Sequence, residues 1–566
     1  MNPFRVLLVS NVRPSRSWNF ANRITREVPG TTICGIVQRP FCSIPAIQQQ
    51  IAAREMRKTF TPHGWLFKVR LFFGSISNKL VGSLLWFIHG CPIALNNQER
   101  FTTDMLRREC ARMAWPLLVT LDEHLGDIPD SIKHDPVDLV ILLGEFPSAP
   151  NLPLSSLNGC IRASCLADEG RLAGHQNSTL VRIEHLIRDS QKPCTIASAS
   201  LPWQQSDGLL GFTLKTDLIA DDLLLQTLAS LVGGIRASTS TAVQQWTERI
   251  LAPSLTQFQK VSNYIPQNGQ LSKQCRSRWK LCLDTCLLCS PWILVRNWYR
   301  RCKRQYPVLI LAHHLVSDRP HRMGIPTEVF LRQILFLQKH YQIVSLSEAV
   351  ELIRAGEVRV PTVALTFDDG YADNFLNLRA VANEVGISAT LFITTYPVET
   401  RREFGHDLAN GVTGFLPLTW DQIRYWSTRG VEFGSHTRTH MDCGTRDSEK
   451  LHSEIIGSKE DLEAQLGKSV GLFAFPYGKR ENMSLEAMRL AASTYSHFVS
   501  FFGGEAPSSR KNLQCHLFRK SFYPNQWELE LELQSVFDFA GAMRGLFSRR
   551  KRKLRRKRPE LQCLPS

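Results

Sequence analysis

The chain has 566 residues, a hydrophobic share of 43%, a charged share of 21% and a formal net charge of +17 at pH 7. That length exceeds what one core supports and the composition is that of a folded protein, which excludes a single small domain and a chain disordered throughout. Nine of the basic residues lie in Arg549–Arg558 with no acid among them, leaving +8 for the rest. A run of this kind reads as a solvated tail or as a contact for an anionic membrane, and no specific nucleic acid is expected as a partner.

In chain order, the first part alternates short apolar runs with helical patterns. Val6–Val9 is too short for a secretory signal and reads as a first strand. Thr32–Val37, Leu117–Leu121 and Val137–Leu143 read as further strands, with a helix over Asp104–Met113. This rhythm predicts an α/β domain with an open, mostly parallel sheet over residues 1–235. No Gly-x-Gly-x-x-Gly follows Val9, so a dinucleotide cofactor has no support. The stretch Pro136–Gly144 followed by Leu157–Ile161 resembles the second half of a formyltransferase domain. That resemblance implies an Asn, a His and an Asp at the active centre, where this chain has Arg162, Ser164 and the neighbourhood of Ser190, with Asp189 one position away. Without the proton-shuttling His the domain reads as degenerate.

Residues 236–305 read as a basic, aromatic connector ending in Arg296–Arg304, a pattern that fits a charged linker face or a membrane surface. Cys282, Cys286 and Cys289 have an iron–sulfur-like spacing, but in an apolar segment they read as packed thiols. The apolar stretches 80–95 and 281–295 are broken by His89 and Pro92 and by Asp284 and Pro291, short of a membrane span. An odd count of 15 cysteines without an export signal predicts reduced thiols in the cytoplasm, with peripheral membrane contact through the tail.

From Pro307 the pattern is that of strands delivering residues to loops. Val308–Ala312 leads into His313 and His314, Glu328–His340 is an amphipathic helix, and Ser345 with Glu348 fits a capping box. Val363–Phe367, Thr390–Thr394 and Val431–Gly434 read as buried strands, and Trp527–Phe547 as a final helix. Strand ends are where an α/β barrel keeps its chemistry.

Three short motifs sit at such ends: Thr366-Phe-Asp-Asp-Gly370, His436-Thr-Arg-Thr-His440 and Phe475-Pro-Tyr-Gly478. Two imidazoles and a carboxylate, His436, His440 and Asp369, form a metal-ligand set that leaves positions open for water and substrate. The two histidines, four apart, would face the same way on a helical turn. Asp368 cannot share that role if the segment is extended, and is placed as the base. Gly370 permits a tight exit from the strand.

In this order and spacing the motifs resemble those of the polysaccharide deacetylases, carbohydrate esterase family 4, over roughly residues 307–525. The resemblance implies a distorted (β/α) barrel over residues 306–540, followed by a basic tail, 541–566. It implies hydrolysis of an N-acyl amide, acetyl first, on an amino sugar of a polysaccharide or lipid-linked glycan precursor, with zinc as the default divalent metal. It makes Phe475, Pro476, Tyr477 and Gly478 a wall of the substrate groove, with the Tyr477 N–H facing the oxyanion. Many members carry a base-orienting Arg where this chain has Ala474. The resemblance assigns the acid that protonates the leaving amine to His314, with His516 as second candidate; His406, His452 and His497 read as surface or packing residues. A deformylase of a formamido sugar and an inactive glycan-binding protein are the alternative readings.

Overall fold

The computed structural model of the chain describes residues 3–39, 103–120, 137–144, 146, 159–167, 178–186, 193–202, 209–233, 239–255, 284, 287, 290–501, 504–507 and 513–539. The basic run 549–558, the apolar stretch 80–95, Cys282, Cys286, Cys289, Asp189 and Ser190 lie outside them.

Strands β1 (Phe4–Ser10), β2 (Thr31–Gln38), β3 (Leu117–Val119), β4 (Leu139–Leu143), β5 (Cys160–Ala167), β6 (Ser178–Leu186) and β7 (Cys194–Pro202) form one sheet in the order β3-β2-β1-β4-β5-β6-β7. The pairs from β3 through β5 are parallel, as the alternating pattern predicts, but β6 and β7 run antiparallel. The sheet is thus mostly parallel, as expected, with an antiparallel edge: the connections 168–177 and 187–193 are too short for a crossover helix, so the chain turns back there. Both faces of β1 are covered, Val6 and Leu8 by one apolar cluster and Leu7 and Val9 by another, which is why its run is continuously apolar. Arg162 and Ser164 on β5 both bind Glu184 on β6, at 2.9 Å each, and Arg162 also donates to the Phe146 carbonyl.

Helices α1 (Pro14–Glu27) and α2 (Thr103–Arg112) pack on this sheet, and α3 (Leu209–Val232) lies between the two halves of the molecule. α3 has apolar residues all round, as a helix buried on every side requires. Ile219, Leu223 and Leu224 join the N-terminal core, and Leu210, Leu214 and Leu218 join the core of the C-terminal domain. The connector begins as a folded element. After α4 (Thr239–Trp246), the Ile250 carbonyl and Ser254 hydroxyl accept bonds from Gln422. Helix α5 (Pro291–Lys303) then leads to the next strand.

The C-terminal sheet closes on itself. β8 (Val308–His313), β12 (Thr362–Phe367), β13 (Thr390–Ile393), β14 (Glu432–Ser435), β15 (Leu472–Ala474), β16 (His497–Ser500) and β17 (His516–Ser521) run parallel in that order, and β17 pairs back onto β8 with Arg519 opposite Ile310. The short strands β9 (Leu315–Val316) and β10 (Gly324–Ile325) pair apart from it, and β11 (Gln342–Val344) adds to the barrel beside β12. The seven-stranded ring is the distorted barrel expected. Ile310, Ala364, Phe392, Ala474, Val499 and Leu517 share one cluster, and Leu309, Leu311, Val363, Leu365 and Leu391 pack in another with the surrounding helices. By strand alternation Thr366 and Asp368 follow Ala364, and Arg519 follows Leu517, on the same face.

The surrounding helices are α6 (Thr327–His340), α7 (Leu346–Ala355), α8 (Asp373–Val385), α9 (Thr395–Thr400), α10 (Gly405–Leu408), α11 (Trp420–Ser427), α12 (Ser448–Leu466), α13 (Leu485–Thr494) and α14 (Gln526–Leu533). Ser345 and Glu348 make the predicted capping box at the start of α7. The expected final helix is broken at Gln534 and Ser535, the latter with φ +57°, and residues 540–547 of it lie outside the described residues. Among the described residues no helix is long and apolar enough to cross a membrane.

A buried ionic network joins the halves. Asp221 accepts from Arg16 and Asn383, and Asp222 accepts from Arg23 of α1 and Arg379 of α8. Glu27 is bound by Arg23 at 2.8 Å and by Arg429, beyond α11, at 2.7 Å.

Candidate metal centre and its base

β12 ends at Phe367 and hands over two consecutive carboxylates. The Asp368 N–H still bonds the His313 carbonyl, which keeps that residue in register with the barrel. Asp369 then takes φ +70° and Gly370 φ +89°, so the two side chains part through a backbone kink rather than through an extended segment. A Cβ on Gly370 would stand 2.9 Å from the Ile393 side chain, so this close turn requires glycine.

Asp368 is gripped by Arg519, Nη1 to Oδ1 at 2.6 Å and Nη2 to Oδ2 at 2.7 Å, and Arg519 Nη1 also reaches Thr366 Oγ1 at 3.2 Å. Both partners are buried. Burial alone would raise the Asp368 carboxyl, but the Arg519 guanidinium holds it below the usual carboxylate range. Arg519 of β17 thus pairs with Asp368, while position 474 holds an alanine. The sequence gives little sign of it, since Arg519 stands beside Lys520 in a strand whose only apolar residues are Leu517 and Phe518.

Asp369 faces the other way, into imidazoles. His440 Nε2 lies 3.3 Å and His436 Nε2 3.6 Å from Oδ1, and His406 Nε2 lies 3.6 Å from Oδ2. The sequence-predicted triad therefore converges on one carboxylate, joined by a third histidine read from sequence as ordinary. Among the described residues, Asp369, His406 and His440 each offer an atom within 4.8 Å of the others, a set that holds His406 in place of the expected His436, which approaches Asp369 at 3.6 Å. His406 stands in the short helix α10 (Gly405–Leu408), with no spacing signature to reveal it.

The His436–His440 segment is a loop, not the expected helical turn. Thr437 and His440 take φ +65° and +62°, and these left-handed residues fold both rings back to Asp369. Cross-strand bonds hold the bend: His436 N–H to the Ile393 carbonyl, Thr395 N–H to that of Thr437, and Tyr396 N–H to that of Arg438. Of the eight non-glycine residues with positive φ among those described, Asp369, Thr437, His440 and Tyr477 lie in the three motifs. Such conformations cost about 1–3 kcal/mol each and persist where surrounding structure over-determines them.

His436 Nδ1 lies 2.7 Å from the Ala474 carbonyl, so the proton belongs on Nδ1 and the Nε2 lone pair faces Asp369. Burial lowers the pKa of all three imidazoles, that of His406 to about 4, so each is neutral and able to ligate. Asp369 is pushed well up by burial and by the carboxylates of Asp368 and Asp407, and neither of its oxygens has a hydrogen-bond donor. A buried carboxylate with neutral nitrogens instead of donors is a set that fits a divalent cation. Behind it, Tyr371 Oη donates to Asp407 Oδ2 at 2.7 Å and lies 2.9 Å from His406 Nε2, while His321 bonds Asp407 Oδ1 at 3.1 Å.

The remaining predicted residues divide. His314 follows β8 at the same mouth, its ring parallel to that of Phe501, and its charge would bear on both Asp368 and His440. His516 begins β17, at the other end of that strand from Arg519, and bonds Ser500 at 2.7 Å. Phe475 does not line a groove: its side chain is fully buried against Phe473 and Phe498. Pro476 is buried too, whereas Tyr477 is 49% exposed and meets His440 edge-on at 4.8 Å. Gly478, at φ +62°, lets the Phe501 backbone approach; a Cβ there would come within 2.7 Å of its nitrogen.

Residues 355–496 match the family model for polysaccharide deacetylase. YxkH of Bacillus subtilis (strain 168), which carries the polysaccharide deacetylase name, is 24% identical over 180 residues, 31% of this chain and 59% of that protein. The chain thus spans less than two thirds of that relative. Among solved structures, the deacetylase PplD of Streptococcus pyogenes aligns with 22% identity and a TM-score of 0.35, over 41% of this chain and 99% of that one. IcaB from Ammonifex degensii aligns with 19% identity and a TM-score of 0.33, over 40% and 97%. All three motifs gathered at the barrel mouth, 366–370, 436–440 and 475–478, lie within residues 355–496, so the polysaccharide deacetylase model matches the part of the C-terminal region that holds the site.

Proposed function

We propose that the barrel is a metal-dependent deacetylase that hydrolyses the N-acetyl amide of an amino sugar, in a polysaccharide or a lipid-linked glycan precursor. The observation that carries this reading is the buried, donorless Asp369 carboxylate ringed by three imidazole nitrogens, with an arginine-oriented carboxylate directly beside it. Asp369, His436 and His440 would hold the cation, zinc by default, with His406 adjoining. When bound, such a cation polarises an amide carbonyl and acidifies a water molecule.

The protein groups do the rest. Asp368, kept ionised and fixed in plane by Arg519, takes the proton of the attacking water. The Tyr477 backbone N–H donates to the oxyanion, and its exposed ring forms one side of the approach. His314 delivers a proton to the departing amine, so that the bond to nitrogen breaks with a neutral amine leaving.

The N-terminal domain is read as a formyltransferase-like unit without its chemistry, because Arg162 and Ser164 are both engaged by Glu184. The basic run Arg549–Arg558 supports peripheral contact with an anionic membrane, and the free thiols of all cysteines among the described residues agree with a cytoplasmic setting.

The test is acyl release by the purified full chain from N-acetylated and N-formylated amino sugars, with metal content measured on the same sample. Acetate release that falls with Asp368→Asn supports the proposal. Formate release alone would replace it with a deformylase, and unchanged turnover in the variant would remove the base.

A further inference from the structure

Helix α5 is built inside out. An ordinary surface helix turns its apolar stripe to the core and its charges to water. Here the inward side carries Ile293, against Leu531, Val536 and Phe537, and then polar contacts. Asn297 bonds the Gln534 side chain at 3.0 Å, Arg296 bonds its carbonyl at 2.8 Å, and Arg300 pairs with Glu505. Trp292, Val295, Trp298 and Tyr299 are 63%, 59%, 60% and 54% exposed, so that four of the eleven exposed large hydrophobics among the described residues lie on a single helix.

At 3.6 residues per turn, Trp298, Cys302, Val295, Tyr299 and Trp292 fall in that order across an arc of about 120°. Cys302 is exposed as well, so the whole arc is apolar or aromatic. Exposed Lys303 and Arg304 close its C-terminal end. Two tryptophans and a tyrosine with flanking cations have the composition of a segment lying at a lipid headgroup boundary, where amphipathic rings settle and Lys and Arg reach phosphate.

A second basic element follows in the sequence. The segment that follows α14 is packed on α5 through Gln534 and Phe537, and the chain passes from Phe539 to Arg549 in ten residues. Stable peripheral anchoring takes two signals, and an aromatic face with a polybasic segment supplies both.

We infer that the Trp292–Val295–Trp298–Tyr299 face of α5 docks on an anionic lipid bilayer, with the exposed Lys303 and Arg304 at its C-terminal end reaching the lipid phosphates. The inference is independent of the deacetylase reading, since vesicle binding is measured without turnover.

The experiment floats the purified full chain with vesicles of phosphatidylcholine alone and of phosphatidylcholine mixed with phosphatidylglycerol. The wild type is expected to float with the anionic vesicles and to be released by salt. Trp292→Gln with Trp298→Gln should reduce the bound fraction about tenfold or more, and Lys303→Gln with Arg304→Gln, like Gln at the basic residues of 549–558, should reduce the preference for anionic lipid. Leu485→Gln, at an equally exposed leucine on α13, should change nothing. Failure of the wild type to float, or equal flotation of the double tryptophan variant, overturns the proposal. So does a wild-type dimer, seen by light scattering, that the double variant converts to monomer while flotation persists, because the face would then belong to a second copy.

Discussion

Arg519 and Asp368 meet as a two-pronged pair inside the barrel, Nη1 to Oδ1 at 2.6 Å and Nη2 to Oδ2 at 2.7 Å, from strands β17 and β12 that are not neighbours. The fork fixes the plane of the carboxylate as well as its charge, while each oxygen keeps a second lone pair for a proton arriving from the mouth. Because β8 lies between the two strands, the contact exists only when the barrel is closed.

Replacing Arg519 by Lys keeps the charge but loses the second prong. Deacetylation should fall about 10²-fold or more through kcat, with KM little changed. Arg519→Met leaves a buried unpaired carboxylate and should in addition cost roughly 3–5 kcal/mol of stability. Steady-state kinetics and urea unfolding on both variants separate the two effects. A lysine variant with wild-type kcat would show that the fork does not orient the base.

The motif residues were readable because their chemistry is local: a strand end, two carboxylates, a His pair and a turn glycine are written in consecutive positions. Arg519 and His406 were not readable in the same way, since each reaches the site from a distant element and only closure of the ring brings it there. Phe475 was misplaced for the converse reason. Its motif is at the mouth, but strand alternation turns its side chain to the helices. The N-terminal strands followed from apolar runs alone, whereas the antiparallel return at β6 and β7 depends on connection length, which composition does not display.

His406 should matter to metal retention more than to proton transfer. Its Nε2 stands between Tyr371 Oη at 2.9 Å and Asp369 Oδ2 at 3.6 Å, so its loss removes a donor from the rim of the set. His406→Ala is expected to weaken divalent-metal affinity about 10–100-fold, the range seen when supporting groups around a metal are removed, and activity should return with added metal. Competition against a chelator measures this. Asp369→Ala should lose both metal and activity with no such rescue.

The two candidate acids lie at opposite ends of the barrel and give opposite expectations. His314 stands at the mouth beside the Asp368 carboxylate, whereas His516 opens β17 and is bonded to Ser500. His314→Ala should reduce kcat about 10²–10⁴-fold, the usual worth of a positioned acid, and a substrate with a better leaving amine should lose less. His516→Ala should leave kcat within about twofold, since it touches nothing that reacts. Reversal of the two results in the same assay would move the acid to His516.

The junction between the domains makes stability sensitive to acid. Glu27 of α1 is bound by Arg23 at 2.8 Å and by Arg429 at 2.7 Å. Burial opposes its charge, but the two guanidinium groups hold its carboxyl at about 2, against 4.5 for the free group. With the folded-state value below the unfolded one, the stabilisation is complete above about pH 4.5 and drains as pH falls toward 2. A difference of this size corresponds to roughly 3 kcal/mol. Glu27→Gln should therefore lower the urea midpoint at neutral pH and flatten its decline below pH 4.5. Because Arg429 belongs to the barrel and Glu27 to the N-terminal domain, both domains should register the loss in a single transition. Parallel pH profiles for variant and wild type would mean that this pair does not couple the domains.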